Sequence, residues 1–228
     1  MNEKAAIEVL GQVKEVLDKH GIKYWLDLGT ALGAVRNGKL IPWDHDIDLG
    51  FFDDQISKIT DASHELYDKG FAISKSHFRK KGCLICFNYY HQTGNNAMRD
   101  WIAIKNSGGK LLHCMNHILS IPNYEAVESG ARSITKIFAK MSQFLPIILK
   151  KQCTRVISVL EPKIGSEIIK VVVPSHYFQN LETIPFYEME FSAPSPVEKY
   201  LEFRYGEDWR IPRKDYIYYE EDGAIKKI

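Results

Sequence analysis

The sequence predicts an α/β chain in which a mixed β-sheet is flanked by helices, with a helical extension toward the C-terminus. Three observations carry this. Residues 3 to 20 hold a helical apolar stripe, residues 22 to 104 alternate strand-like runs with short helices, and residues 131 to 160 read as two further helices broken at Pro146. At 228 residues and 45% hydrophobic, the chain can bury a sizeable core, which excludes disordered and fibrous classes.

In the first helix Ala6, Leu10, Val13 and Leu17 form the stripe, with Val9 and Val16 beside them, and Gly21 stops it. Ile22 to Leu28 then alternates as a strand. Gly29-Thr30 turns the chain into a short helix, Ala31 to Val35, which Asn37-Gly38 ends. Asp46 to Phe52 is a second strand, and a helix over roughly 54 to 69 follows before Gly70. Phe71 to Phe78, Cys83 to Tyr90, Asp100 to Ile104 and Lys110 to Met115 are further strands by pattern. Leu181 to Ser192 reads as a hairpin. Ser195-Pro196-Val197-Glu198 reads as a capping box opening a helix that stops at Gly206.

With 30 basic against 29 acidic residues, nothing global points to nucleic acid. Four cysteines (Cys83, Cys86, Cys114, Cys153) are too few for a disulfide scaffold and fit a reducing compartment. The first twenty residues mix acids into apolar positions, unlike a signal or transit peptide. No run approaches the length of an apolar membrane span. The expectation is a soluble or peripheral cytoplasmic protein.

The informative stretch is WLDLGTALGAVRNGKLIPWDHDIDLGFF, Trp25 to Phe52. Asp44, Asp46 and Asp48 are two apart, so in a strand they share one face. Crowded carboxylates repel unless a cation compensates, and hard oxygen ligands suit Mg²⁺ or Mn²⁺. A solvated acidic edge is the alternative, and spacing alone leaves both open. The strand–turn–helix at Gly29-Thr30 offers a phosphate cradle: free N–H groups at a helix N-terminus, a close backbone approach and a hydroxyl. Arg36 and Lys39 follow and can hold further phosphate oxygens. Together these features compose a nucleotide-phosphate site.

The string LDLGTALGAVRNGKLIPWDHDIDLGF resembles the LicD family of the polymerase β-like nucleotidyltransferase superfamily, which includes phosphocholine and fukutin-related phospho-alditol transferases. Arg99-Asp100-Trp101-Ile102 resembles the strand bearing that superfamily's third acid, and residues 174 to 212 resemble the family's C-terminal block. The resemblance implies one nucleotidyltransferase-like domain over residues 1–228. Its catalytic core spans about 22–115, and a helical insertion over about 131–173 precedes the block at 174–212.

The resemblance also implies a chemistry. A phospho-alcohol would pass from a CDP-linked donor to a hydroxyl of a cell-surface glycan or its lipid-linked precursor, releasing CMP. Asp46, Asp48 and Asp100 would hold the metal, with Asp100 alternatively taking the acceptor's proton. Asp44 would orient the site or hold a second ion, and Gly29, Thr30, Arg36 and Lys39 would bind the donor. The alternatives are attack on the α-phosphate of a nucleoside triphosphate with pyrophosphate release, or a non-catalytic nucleotide-binding regulator. Action at the inner face of the membrane would suit a lipid-linked acceptor.

Two weaker patterns remain. Cys83 and Cys86 have zinc spacing, with His113, Cys114 and His117 as further donors, but an i,i+3 pair in a strand points to opposite faces. Core cysteines are the expectation. Residues 131 to 160 combine Arg132, Lys136, Lys140, Lys150, Lys151 and Arg155 with many apolar residues and no acid, the pattern of a helix at a membrane interface. The terminal run Tyr216 to Asp222 reads as a surface segment.

Overall fold

The computed structural model describes residues 2–74, 76–120, 140–142 and 144–226. Apolar residues recurring three and four apart give α1 (Glu3–Lys19) a fully buried face of Ala6, Val9, Leu10, Val13, Val16 and Leu17. The predicted strand over 22–28 shrinks to β1 (Trp25–Leu26), because the chain turns at Leu28 and α2 (Leu28–Asn37) begins earlier than the pattern predicts. Leu28 adopts a left-handed φ of 46° at this turn.

β2 (Asp46–Phe52) and α3 (Ile56–Asp68) follow as expected. The run from Phe71 to Phe78 folds instead as a hairpin of β3 (Ala72–Ser74) and β4 (His77–Lys80). β5 (Cys83–Thr93) lies parallel to β2, and β6 (Asn96–Ile104) runs antiparallel to the end of β5.

Lys110 to Met115, predicted as a strand, lies within the helix α4 (Ser107–Ser120). The Asn106 side chain accepts the Gly109 N–H at 2.9 Å, a helix-start cap. Gly109 and Asn116, seven residues and so two turns apart, are buried on one face. A six-residue mixed run is too short for its period to separate the two readings.

Residues 131–139 of the predicted helical pair lie outside the described residues. The second helix of the pair is α5 (Ile147–Ile164), opened by Pro146. The insertion predicted as helical to residue 173 ends instead in β7 (Ser166–Pro174), whose β-branched run SEIIKVVVP pairs with the whole of β6.

After the one-turn α6 (His176–Gln179) come the expected hairpin, β8 (Glu182–Phe186) with β9 (Met189–Ala193), and α7 (Val197–Tyr205). The capping box does not form. A carboxylate from the hairpin replaces it, as Glu182 Oε1 accepts the Val197 N–H at 2.8 Å. A short helix α8 (Tyr218–Glu221) and β10 (Ile225–Lys226) complete the described chain.

The main sheet has the order β1-β2-β5-β6-β7-β10, with β3 and β4 attached beside β5. Ile47, Leu49, Phe51, Ile85 and Phe87 belong to one large core shared with α1 and α3. By strand alternation, Asp46, Asp48 and Gly50 of β2 and Cys86, Asn88 and Tyr90 of β5 share the opposite face. Gly50 has a steric cause: a Cβ there would overlap the Trp25 indole. Among the described residues, no helix is long and apolar enough to cross a membrane.

Candidate active site

The polar face of β2 opens into a cavity of about 390 Å³ whose lining includes Asp44, Asp46 and Asp48. Leu28 and Gly29, the first turn of α2, line it too, so the helix N-terminus and the acids meet as the sequence predicts. Gly29 makes room in a specific way: a Cβ there would overlap Asp44 Oδ2. Asp44 Oδ1 accepts the N–H of His45 at 2.9 Å.

The acids are held without enough positive charge of their own. Burial, and then the neighbouring Asp46, push the Asp44 carboxyl up to about 6. Burial together with Asp46 and Asp27 raises Asp48 well above the usual carboxylate range, although Asn88 and Arg99 act in the opposite sense. Oxygens of Asp46 and Asp48 and the sulfur of Cys86 all lie within 4.8 Å of one another. The buried Asp48 and half-buried Asp46 carboxylates close together, with Asp44 beside them, fit a small hard cation such as Mg²⁺ or Mn²⁺. Cys86 donates to Asp46 Oδ2 at 3.4 Å, and burial beside the acids keeps its thiol protonated.

The remaining expected site residues divide. Thr30 is buried, and its Oγ1 accepts the Asp48 N–H at 2.8 Å. It ties α2 to β2 and does not line the cavity. Arg36 lines both the cavity and a neighbouring groove, whereas Lys39 lines only the groove. Asp100 is not brought to the acids. It lies on the face of β6 opposite Arg99 and Trp101, exposed and ion-paired with Lys170 at 3.1 Å. The resemblance directed attention to the acid of the Arg99-Asp100 pair, but the basic residue is the one that faces the site.

Arg99 is buried and donates to Asn88 Oδ1 at 2.5 Å, while Asn88 Nδ2 donates to Asp48 Oδ1 at 3.0 Å. Arg99 also donates to the Tyr218 hydroxyl at 3.0 Å, and Arg204 reaches that same oxygen at 3.2 Å. Arg204 is fully buried and grips Asp222 through Nε–Oδ1 at 2.8 Å and Nη2–Oδ2 at 2.6 Å. Asp27, also fully buried, accepts from Tyr90 at 2.9 Å and Tyr200 at 2.7 Å. Burial and Asp27 hold the Tyr90 phenol protonated; burial does the same for Tyr200, with Asp27 adding to it.

A buried polar network thus runs from Asp48 through Asn88, Arg99, Tyr218 and Arg204 to Asp222. The terminal segment predicted to lie on the surface is part of this site. Alternation along β5 puts Asn88 on the face of the acids. Nothing local in the sequence marked Tyr218 or Asp222.

Aromatic and cationic side chains form the outer wall. Trp43, Trp101, Trp209 and Tyr216 line the cavity with Arg213 and Lys214, and Lys214 lies over the Trp43 ring at 5.2 Å. Such a wall suits a flat ring and phosphate charge. The zinc grouping does not assemble among the described residues. Cys86 sits with the acids, and His113 pairs with Glu161.

A strand-borne acid cluster beside a helix N-terminus, on a mixed sheet flanked by helices, fits a nucleotidyltransferase-like fold. Residues 21–113 match the family model described as LicD/FKTN/FKRP, nucleotidyltransferase domain. Over those residues, fewer than half of the chain, it is similar to the LicD family.

Among curated proteins it is similar to Ribitol 5-phosphate transferase FKRP of Homo sapiens, 47% identical over 49 residues, or 22% of this chain and 10% of that protein. It is 43% identical over 49 residues to Ribitol-5-phosphate transferase FKTN of Homo sapiens, covering 22% of this chain and 11% of that protein. It is 32% identical over 83 residues to Uncharacterized protein RP689 of Rickettsia prowazekii (strain Madrid E), covering 35% of this chain and 31% of that protein. The matches therefore span about a tenth of the length of the ribitol-phosphate transferases. A solved structure of the antibiotic-resistance factor ANT(2'')-Ia aligns with 71% of this chain and 93% of its own at 11% identity, with a TM-score of 0.34, too slight to carry weight.

Proposed function

We propose that the chain is a divalent-cation-dependent transferase that moves a phospho-alcohol from a CDP-linked donor to a hydroxyl of a glycan or its lipid-linked precursor, with CMP as the leaving product. The observation that carries this reading is the cluster of Asp44, Asp46 and Asp48 set against the first turn of α2 in one cavity. The match to the LicD family model over residues 21–113 and the similarity to ribitol-phosphate transferases support the choice of phospho-alcohol.

Asp46 and Asp48 would hold Mg²⁺ or Mn²⁺, which when bound supplies charge neutralisation at the donor's phosphates. The first turn of α2 and Arg36 bind phosphate oxygens from the opposite side. Trp43, Trp101, Trp209 and Tyr216 offer the base a stacking wall and exclude water. Arg99 acts through Asn88 to hold Asp48 in place. Asp44, at the edge of the cluster with its carboxyl pushed up to about 6 by burial and by Asp46, accepts the proton of the attacking hydroxyl. The hydroxyl oxygen bonds to the phosphorus that carries the alcohol, the bridging P–O bond breaks, and its electron pair leaves with CMP. Asp100 has no part in this scheme.

A panel of CDP-choline, CDP-ribitol and CDP-glycerol, analysed for products, tests the reading. Release of CMP with phospho-alcohol on the acceptor supports it. Pyrophosphate released from a nucleoside triphosphate, with nucleotide on the acceptor, contradicts it. Binding without turnover at any Mg²⁺ concentration contradicts it as well.

A further inference from the structure

α4 and α5 lie antiparallel, since Gly109 packs at Gly165, His113 Nδ1 meets Glu161 Oε1 at 2.7 Å, and Asn116 meets Ser158 at 3.2 Å. This inner seam consumes the small buried surface of α5, where Ile157 and Glu161 alone are buried. The outer face is inverted relative to an ordinary surface helix. Ile148 is 70% exposed, Val159 61% and Val156 58%, and Leu149, Leu160 and Ile164 are exposed beside them. At about 100° per residue these six side chains fall within one arc of about 160°.

Lys151 and Arg155 border that arc, and Lys163 rises within it. Leu111 and Met115 of α4 are also exposed, as is Lys110. α4 carries no carboxylate, and the single acid of α5, Glu161, is turned inward to His113. Every charge that these two helices show to solvent is therefore positive. An exposed apolar face of this breadth marks an interaction site, and a cationic border without acids fits an anionic partner.

We propose that the outer face of α4 and α5 docks on an anionic lipid bilayer, with Ile148, Val156, Val159 and Leu160 entering the acyl boundary and Lys151, Arg155 and Lys163 meeting the headgroups. Charge complementarity selects this occupant. A second copy of the chain would set like charges against each other in a symmetric contact. The inference rests on exposure and charge, and does not depend on the transferase reading. α4 follows directly from β6, whose Trp101 lines the cavity, so docked lipid and cavity share one strand.

Co-sedimentation of the full chain with vesicles of phosphatidylglycerol and phosphatidylcholine, and with phosphatidylcholine alone, tests the proposal. Binding is expected to the anionic vesicles and to weaken in high salt. The paired substitution Val156→Asp and Val159→Asp should abolish it with an unchanged circular dichroism melt, since both positions are exposed. Lys151→Gln with Arg155→Gln should weaken it about 25-fold, at about fivefold for each cation near an anionic surface.

No sedimentation with anionic vesicles overturns the proposal. So does equal binding to neutral vesicles, or binding that survives both pairs of substitutions. A dimer by light scattering that Val156→Asp with Val159→Asp dissolves, without vesicle binding by the original chain, also overturns it and assigns the face to self-association.

Discussion

Replacing Asp222 with alanine strands the Arg204 guanidinium in the interior. Arg204 is fully buried, and Asp222 supplies both carboxylate oxygens that its Nε and Nη2 contact at 2.6–2.9 Å. What remains are two neutral hydroxyls, Tyr200 and Tyr218, and the Asp27 carboxylate 4.0 Å from Nη1. Breaking a buried ion pair in this way costs about 3–5 kcal/mol. The buried Ala224 N–H loses its acceptor as well, for about 1 kcal/mol more.

At about 2–4 °C per kcal/mol for a chain of this size, the thermal midpoint should fall by roughly 8–24 °C. Differential scanning calorimetry reads this directly. Asp222→Asn keeps an acceptor for Ala224 and should lose less. The double variant Arg204→Met with Asp222→Leu should regain a large part, because no charge is left stranded. A shift below about 2 °C for Asp222→Ala would refute the idea that this pair anchors the C-terminal segment to the acid-bearing sheet.

Further expected outcomes follow from the same geometry. Asp46→Asn and Asp48→Asn should each reduce Mn²⁺ affinity by at least about tenfold and remove turnover, read by titration calorimetry and product assay with the melt as a folding control. Asp100→Asn should leave activity within about twofold, while Arg99→Met should lower kcat by more than tenfold through loss of the Asn88–Asp48 support. Equal effects of the two would contradict the assignment of faces on β6.

The pH dependence has a definite sign. Asp44, near 6, and the raised Asp48 bind protons more tightly in the folded chain than when unfolded, where a carboxyl stays near 3.8. Metal-free stability therefore declines as pH rises from about 4 through 6. Metal affinity climbs over the same window, because the ion competes with those protons. Melting curves and Mn²⁺ titrations at pH 5 and pH 7 check both.

Long periodic segments were readable from sequence because their burial is one-sided. α1, β2, α3 and the β8–β9 hairpin fall where the pattern predicts. The acids were readable for the same reason, since alternation in β2 puts Asp46 and Asp48 on the face away from Ile47 and Leu49.

What failed depended on distant partners. Lys110 to Met115 is a helix because Asn106 caps it and α5 covers it. Asp100 and Arg99 are neighbours in sequence on opposite faces of β6, and only the pairing with β7 and the reach to Asn88 decide which one serves the site. Asp27 has no local mark of its burial, since the two tyrosine hydroxyls that donate to it come from more than 60 residues away. The aromatic-acidic tail looked superficial because its burial requires Arg99 and Arg204, neither of which any local pattern connects to it.

The central claim is that the acid cluster serves transfer of a phospho-alcohol from a CDP-linked donor. One measurement tests it most directly: phosphorus NMR of the chain incubated with a CDP-alcohol, a hydroxyl-bearing glycan acceptor and Mg²⁺, alongside Asp48→Asn. The expected result is CMP in step with a new phosphodiester on the acceptor, absent with Asp48→Asn. Turnover that Asp48→Asn leaves intact, or donor consumed with nucleotide retained on the acceptor, would contradict the account.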